Sequence, residues 1–436
     1  MNIIIRNSNN GKANGRIKVS GDKSISHRAL LIGAIARGLT VIKGYSQGGD
    51  CRSTLNCLRQ LGIDIGIYDD RIEINGKGLR GFNEPANILD CGNSGTTMRL
   101  LSGLLCGQNI TTVLTGDDSL RNRPMKRVIE PLTKMNARIW SRVGSRAPLS
   151  IQGNILKAID YTLPVASAQV KSALIFAGML TDGITTIEEP VLTRDHTERM
   201  LIEFGADLER NGNKVKIKPD VCLNGHELLI PGDISSAAFF IVLASILPGG
   251  SITIQKTGIN PTRIGIIDAM RSMGADIKFE NADEQCCEPV ADLTVKARTL
   301  RAIEIKGEIV PRLIDELPII AVAATQAQGT TRVSDAGELR VKETDRIKAI
   351  VQGLQKMGAA ILEQEDGFIV DGPCKLRGVV CQSYNDHRIA MALAIAGLIA
   401  EGETVIQNAE CIDISFPEFM QLIRRVCGEN AIGISE

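Results

Sequence analysis

The residues best suited to chemistry lie in short polar runs where a basic side chain sits beside a Ser, Asn, Gly or Asp able to start a helix. Gly21-Asp22-Lys23-Ser24 is followed by Arg28, one turn beyond Ser24 on the same helix face. Gly92-Asn93-Ser94-Gly95 is followed by Arg99, and Gly95 permits a ligand to approach the backbone closely. Ala166-Ser167-Ala168-Gln169, Gly232-Asp233-Ile234-Ser235, Leu313-Ile314-Asp315-Glu316 and Asn385-Asp386-His387-Arg388 complete a set of matching loops. Each lies between a strand pattern and a helix pattern, so each opens a helix. There the free backbone N–H groups and the helix dipole favour anions. Gly232-Asp233-Ile234-Ser235 has no basic neighbour and reads as a plain N-cap.

Two further segments add cations. Asp118 to Pro124 places Arg121 and Arg123 just before a Pro that can open a helix. Lys342, Glu343 and Arg346 follow the strand-like TTRVSDA at another helix start. Any one of these basic residues alone reads as a solvated surface charge. Recurring at matching ends of repeated elements, they predict an anion-lined cleft. No GxxxxGK[ST] occurs, so a nucleoside triphosphate is not indicated. The expected ligands are one or two small phosphorylated or carboxylated molecules, which suit the planar donor fork of Arg.

Composition narrows the class. Fifty basic residues balance fifty acidic ones, so no global field draws the chain to nucleic acid or anionic lipid. Aromatic residues are only 3%, leaving little surface on which single-stranded nucleic acid could stack. Eleven cysteines are scattered without CxxC pairs, Cys286-Cys287 being the one close pair, and four histidines form no ligand-spaced cluster. The expectation is a cytoplasmic protein with buried, reduced thiols and no zinc site. The start, MNIIIRNSNNGK, lacks the apolar run of a signal peptide, and no stretch is long and apolar enough to span a bilayer.

The loops are positioned by repetition. At 436 residues the chain exceeds one ordinary core. A small-residue apolar helix, a glycine and a β-branched strand recur six times at near-constant spacing, with marker glycines Gly38, Gly107, Gly183, Gly250, Gly329 and Gly402. Amphipathic helices such as STLNCLRQLG and KAIVQGLQKMGA follow most strands, then short hairpins. A lone unit exposes an apolar helix face, so units must pack together. The expectation is an α/β chain of two domains with three units each, one spanning 21–231 and the other 1–20 with 232–436. Hinges are expected near Gly21 and Gly232, and the N-terminal strands are expected to complete the last unit. A monomer is the default, as no dimer seam shows.

Several of these runs together resemble the 5-enolpyruvylshikimate-3-phosphate synthase family. They are Gly-Asp-Lys-Ser-Ile-Ser-His-Arg (21–28), Gly-Asn-Ser-Gly-Thr-Thr-Met-Arg (92–99), Arg-Pro-Met (123–125) and Ser-Ala-Gln-Val-Lys-Ser (167–172). Leu-Arg-Val-Lys-Glu-Thr-Asp-Arg (339–346) and Asp-His-Arg-Ile-Ala-Met (386–391) follow in the family's order. The resemblance runs from about residue 15 to Glu418. It implies an inside-out α/β barrel in each of two domains that close on the substrates. It also implies enolpyruvyl transfer from phosphoenolpyruvate to the 5-hydroxyl of shikimate 3-phosphate, by addition and elimination, with no metal or organic cofactor. Each phosphate monoester carries a charge of about −1.5 to −2, which explains a need for many helix starts and Arg or Lys groups.

By the same resemblance, Lys23, Ser24, Arg28, Ser167, Ala168, Gln169, Arg194, Asp315 and Lys342 would hold shikimate 3-phosphate. Lys23, Gly95, Arg123, Gln169, Arg346 and Arg388 would meet phosphoenolpyruvate. Asp315, Glu343 and Lys23 would carry the proton transfers. The chain departs from the family at Ile414, where many members have a Lys that contacts phosphoenolpyruvate. Ser-Ala-Gln at 167–169 and Asn-Pro-Thr-Arg at 260–263 resemble a divergent branch, which often has Ala where this chain has Gly95. Two rivals remain. One is the sister transferase acting on UDP-N-acetylglucosamine, with a Lys-Asn near its start and a reactive Cys in the loop matching TGDDSLRNR; this chain has Lys23-Ser24 and no Cys there. The other is a non-catalytic, clamp-like repeat protein.

Overall fold

The computed structural model describes residues 1–7, 13–285 and 287–435. Cys286 and the 8–12 part of the N-terminal segment lie outside the described residues. Six helices carry small and apolar residues on all faces: α1 (Lys23–Ile35), α2 (Gly95–Leu105), α3 (Ala168–Gly178), α4 (Ile234–Ile246), α5 (Leu317–Ala324) and α6 (His387–Ile399). Such helices have no stripe to give to water and belong inside a core. Small residues set how closely they pack. A Cβ at Gly103 would lie 2.1 Å from the Ala173 carbonyl oxygen, so α2 and α3 meet backbone to backbone there.

After each buried helix comes a strand of a four-stranded sheet, and the described residues form six such sheets. The inward faces of these sheets and the buried helices make two separate apolar cores, one around α1–α3 and one around α4–α6. The chain divides into two compact units accordingly. A central unit comprises Gly21–Ile230 with Gln285–Glu288, and a terminal unit comprises Met1–Ser20, Pro231–Glu284 and Pro289–Glu436. The segment Gln285–Glu288, placed by sequence within the 232–436 stretch, groups with the central unit.

Strand pairing explains why the chain divides at those points. In four of the repeats the short strand ahead of the buried helix pairs in parallel with the strand after it, as Leu89–Asp90 does with Thr111–Thr115. Ahead of α1 and α4 the pairing is exchanged. Asn14–Ile17 pairs with Ser251–Gly258 of the fourth unit, and Glu227–Leu229 pairs with Arg37–Lys43 of the first. Of the N-terminal strands, Asn2–Arg6 does complete the last unit, pairing antiparallel with Glu403–Gln407 on one side. On its other side lies Ile432–Ser435, a closing strand missed in the sequence because it has only four residues, one of them Gly. Asn14–Ile17 departs from expectation by joining the fourth sheet instead of the sixth.

The 118–124 segment also differs from its sequence reading. Asp118–Asn122 is a short helix of its own, capped by Asp117, whose carboxylate accepts from the Leu120 N–H at 2.8 Å. Arg123 is extended (φ −74°, ψ 138°), as a residue before Pro prefers, and the next helix begins at Lys126.

Ile3 and Ile5 are fully buried between the two neighbouring strands, worth about 1.5–3 kcal/mol each in removed apolar surface. Deleting residues 2–6 is therefore expected to lower the unfolding free energy by at least about 3 kcal/mol in urea denaturation. An unchanged denaturation midpoint would show that the strand is dispensable.

Candidate active site

In the central unit the cluster is built on the starts of α1, α2 and α3. Asp22 caps α1, accepting from the Ile25 N–H at 2.9 Å. Lys23 follows, its Nζ 3.0 Å from Oδ2 of Asp50, a buried residue on the neighbouring helix Gly49–Gln60. Arg28 is buried and gathers its partners from three helices. Its Nη1 donates to the Ser24 carbonyl at 2.9 Å, Nε to the Thr197 hydroxyl at 2.6 Å and Nη2 to the Ser172 hydroxyl at 2.8 Å. These oxygens are all neutral. Burial pulls the guanidinium pKa down to about 10, with Glu198 opposing the fall and Arg194 adding to it. A buried cation held by neutral oxygens favours an incoming anion. Arg194 Nη1 lies 3.5 Å from the Ser24 hydroxyl.

Beneath this group Lys171 has no exposed surface. Its Nζ is 2.8 Å from Glu189 Oε2 and 2.6 Å from Glu198 Oε1, and Glu189 also accepts from the Thr193 hydroxyl. That buried pairing ties α3 to the loop carrying Arg194 and to helix His196–Glu203, which carries Thr197.

The start of α2 is crowded by two arginines. Arg123 Nη2 donates to Asn93 Oδ1 at 2.7 Å and to the Ser119 hydroxyl at 3.1 Å. Arg99 Nη1 donates to Gln169 Oε1 at 2.6 Å, and the Gln169 amide donates to the Thr96 hydroxyl at 2.8 Å. A Cβ at residue 95 would lie 2.6 Å from Arg99 Nη1 and 3.4 Å from Arg123 Nη1, so both guanidiniums approach this helix start because Gly stands there. Ser167 caps α3 by accepting from the Val170 N–H at 3.4 Å, which puts Ala168 and Gln169 in its first turn.

In the terminal unit the centre is Arg346, the first residue of helix Arg346–Lys356 and 1% exposed. Each guanidinium nitrogen takes a different carboxylate: Nε meets Asp386 at 2.7 Å, Nη1 meets Asp315 at 3.2 Å and Nη2 meets Glu343 at 2.6 Å. Burial alone would lower the Arg346 pKa, but Asp386, Glu343 and Asp315 together outweigh it and hold the group above its usual range. Lys342 Nζ stands 3.7 Å from Asp315. Asp386 also caps α6, accepting from the Arg388 N–H at 2.9 Å, and Arg388 Nη1 donates to the Asp315 carbonyl at 3.0 Å. Asp315 itself lies in a 3-10 turn, Ile314–Glu316, ahead of α5 and does not cap that helix.

Residues 8–423 match the family model for EPSP synthase (3-phosphoshikimate 1-carboxyvinyltransferase). The chain belongs to the EPSP synthase family. The 3-phosphoshikimate 1-carboxyvinyltransferase of Thermoanaerobacter sp. (strain X514) is 54% identical over 405 residues, covering 93% of this chain and 96% of that protein. That of Geotalea daltonii is 52% identical over 413 residues, covering 94% and 96%. Among solved structures, EPSP synthase from Acinetobacter baumannii superposes with a TM-score of 0.88 at 43% identity, covering all of both chains. The enolpyruvyl transferase NikO from Streptomyces tendae shares the fold at a TM-score of 0.78 and 16% identity, covering 98% of this chain and 97% of that one. As an EPSP synthase family member this chain is a transferase, and its inside-out α/β architecture is the family's. No helix among the described residues is long and apolar enough to cross a membrane.

The residues that the resemblance assigns to substrates and proton transfer divide between the two units. Lys23, Ser24, Arg28, Gly95, Arg123, Ser167, Ala168, Gln169 and Arg194 lie in the central unit, and Asp315, Lys342, Glu343, Arg346 and Arg388 in the terminal unit. Ile414 ends a 3-10 turn and packs on the terminal core, so it supplies no cation. The Gly232-Asp233-Ile234-Ser235 loop departs from its sequence reading. It does have a basic partner, Arg263, whose Nη2 donates to the Ser235 hydroxyl at 2.7 Å and is 3.6 Å from Asp233. Asp50, Lys171 with its two glutamates, and Asp386 as a ligand of Arg346 were also missed as site residues. Asp386 and Lys171 had a signal, their places inside quoted motifs; Asp50, Glu189 and Glu198 are joined to the site only by the fold.

His27, next to Arg28, is buried, with Nδ1 2.7 Å from the Thr54 hydroxyl. Burial first, then Lys23 and Arg28, hold its pKa well below 6.5, so it folds neutral. A base with a lowered folded pKa binds its proton more readily in the unfolded chain. Its contribution is therefore complete above pH 6.5 and lost as pH falls below that value, by up to about 1.4 kcal/mol per pH unit. Urea melts of wild type and His27→Gln between pH 7.5 and 5 should show wild type losing stability faster on acidification. Parallel losses would mean that His27 is not held neutral.

Proposed function

We propose that these two clusters carry the family's reaction in this chain, transfer of the enolpyruvyl group from phosphoenolpyruvate to the 5-hydroxyl of shikimate 3-phosphate. Lys23, Ser24, Arg28, Ser167, Ala168, Gln169, Arg194 and Lys342 bind shikimate 3-phosphate, with Asp315 at its reacting hydroxyl. Lys23, Gly95, Arg123, Gln169, Arg346 and Arg388 hold phosphoenolpyruvate. The observation that carries this reading is Asp315, a carboxylate standing 3.2 Å from buried Arg346 and 3.7 Å from Lys342. A carboxylate flanked by cations suits a general base, and cations beside it suit an anionic substrate.

Asp315 takes the proton of the 5-hydroxyl as that oxygen bonds to C2 of phosphoenolpyruvate and C3 gains a proton. The tetrahedral adduct then loses a proton from C3 and breaks the bond from C2 to the phosphate oxygen, giving the enol ether and inorganic phosphate. Lys23 offsets the charge on the departing phosphate. Glu343, on the opposite arm of Arg346, is the second carboxylate available for proton transfer. Helix starts at α1, α2 and α3 supply backbone N–H groups where the charge of the substrates collects. Neither a metal nor an organic cofactor enters this scheme. We further propose that the protein works as a monomer in the cytoplasm on small molecules, without nucleic acid; its balanced charge supports the absence of a nucleic-acid partner.

Phosphate release from phosphoenolpyruvate tests the reading. Release is expected with shikimate 3-phosphate and not with UDP-N-acetylglucosamine, and Asp315→Ala should lower kcat by about 10²–10⁴-fold, the range of general-base catalysis. No release with shikimate 3-phosphate, or unchanged kcat in the variant, would overturn the reading or the role of Asp315 respectively.

A further inference from the structure

Glu316, the neighbour of Asp315, has no role in the scheme above, yet it is among the most constrained carboxylates of the terminal unit. It is 1% exposed and closes the 3-10 turn Ile314–Glu316 immediately before α5. Its Oε1 accepts from the Ser235 hydroxyl at the start of α4. The same oxygen is 3.6 Å from Arg388 Nη1 and 4.0 Å from Arg263 Nη2. Its Oε2 is buried without a hydrogen-bond partner.

That is an expensive way to fill a core. A buried carboxylate oxygen with no donor carries its full desolvation cost, and an apolar side chain of similar size would avoid it. What the charge does supply is direction. Arg388 Nη1 lies between Glu316 Oε1 and the carbonyl of Asp315, 3.6 Å from the first and 3.0 Å from the second. The attraction of Glu316 therefore holds the Arg388 guanidinium against the backbone of the residue whose carboxylate faces Lys342 and Arg346. Ser235 and Arg263 fix Glu316 in turn: Arg263 Nη2 donates to Ser235 at 2.7 Å, and Ser235 donates to Glu316. Arg263 is 3% exposed and is placed by Asn260, whose carbonyl accepts from the Arg263 N–H at 2.8 Å.

We infer that Glu316, anchored by Ser235 and Arg263, is a positioning residue that sets the Arg388 guanidinium and the Asp315 backbone for enolpyruvyl transfer. The fourth repeat thus takes part in the reaction without touching substrate. This rests on the assignment of Arg388 and Asp315 made above. Because Glu316 acts through Arg388, its loss should fall on phosphoenolpyruvate and on the chemical step, and not on shikimate 3-phosphate.

The test is steady-state kinetics of full-length Glu316→Gln, which keeps the shape and can still accept from Ser235, and of Ser235→Ala, which removes only the anchor. Displacing a reacting group by about 1 Å can cost ~10²-fold in rate, so kcat of Glu316→Gln is expected to fall by about 10- to 100-fold. Its KM for phosphoenolpyruvate should rise while that for shikimate 3-phosphate stays within about twofold, and Ser235→Ala should show the same pattern with a smaller loss. Should Glu316→Gln not fold, Ser235→Ala decides alone. Unchanged kinetics in a folded variant, or equal rises in both KM values, would overturn the inference. Arg388→Ala measured alongside separates the two claims. If it too leaves the KM for phosphoenolpyruvate unchanged, the assignment of Arg388 fails; if only the Glu316 and Ser235 variants are silent, the positioning role fails.

Discussion

The terminal unit depends on one buried cation. Arg346 takes a different carboxylate on each of its three nitrogens, and those carboxylates come from three separate segments of chain. Asp315 belongs to the turn before α5, Glu343 to the loop before helix Arg346–Lys356, and Asp386 to the start of α6. Burying these charges is costly, and removing one partner of such a set costs about 3–5 kcal/mol. The arrangement requires a planar fork whose donors point in fixed directions, which Lys does not have. Fixing Asp315 and Glu343 on two arms of one rigid group sets the distance between these two carboxylates.

The central unit solves a different problem. Arg28 is as buried as Arg346 but donates to two hydroxyls and a carbonyl, an arrangement that suits an anionic ligand. The nearby Lys171 pairs with Glu189 and Glu198 and holds the supporting elements in place. Repetition underlies both designs. Every repeat delivers a buried helix whose N-terminus ends in a polar loop, and the exchange of leading strands between the first and fourth repeats divides the chain into two cores.

The architecture was legible because it is local. Helices rich in small and apolar residues, the glycines after them and the capping Asp or Ser residues are read within a dozen positions, and α1, α2, α3, α4 and α6 carry the caps expected of them. Lys23, Arg28 and Arg388 were legible for the same reason, as each lies within a turn or two of such a cap, whereas Arg194 was suggested by the family resemblance alone. What was not legible depends on long separations. Lys23 with Asp50, Ser235 with Arg263, and Arg346 with Asp386 are joined by sheet and helix packing alone. The fourth loop looked inert because its arginine comes from a segment well down the chain. The strand Ile432–Ser435 was overlooked because four residues with a Gly carry almost no periodicity.

In the proposed reaction the fork of Arg346, and not merely its charge, holds Asp315 and Glu343 in place. The most direct measurement is kcat of Arg346→Lys, made on protein whose circular dichroism matches wild type. Lysine keeps the charge but reaches one carboxylate at a time, so kcat is expected to fall by about 10²-fold. A kcat within about twofold of wild type would contradict the claim, because misplacing a catalytic group should cost far more.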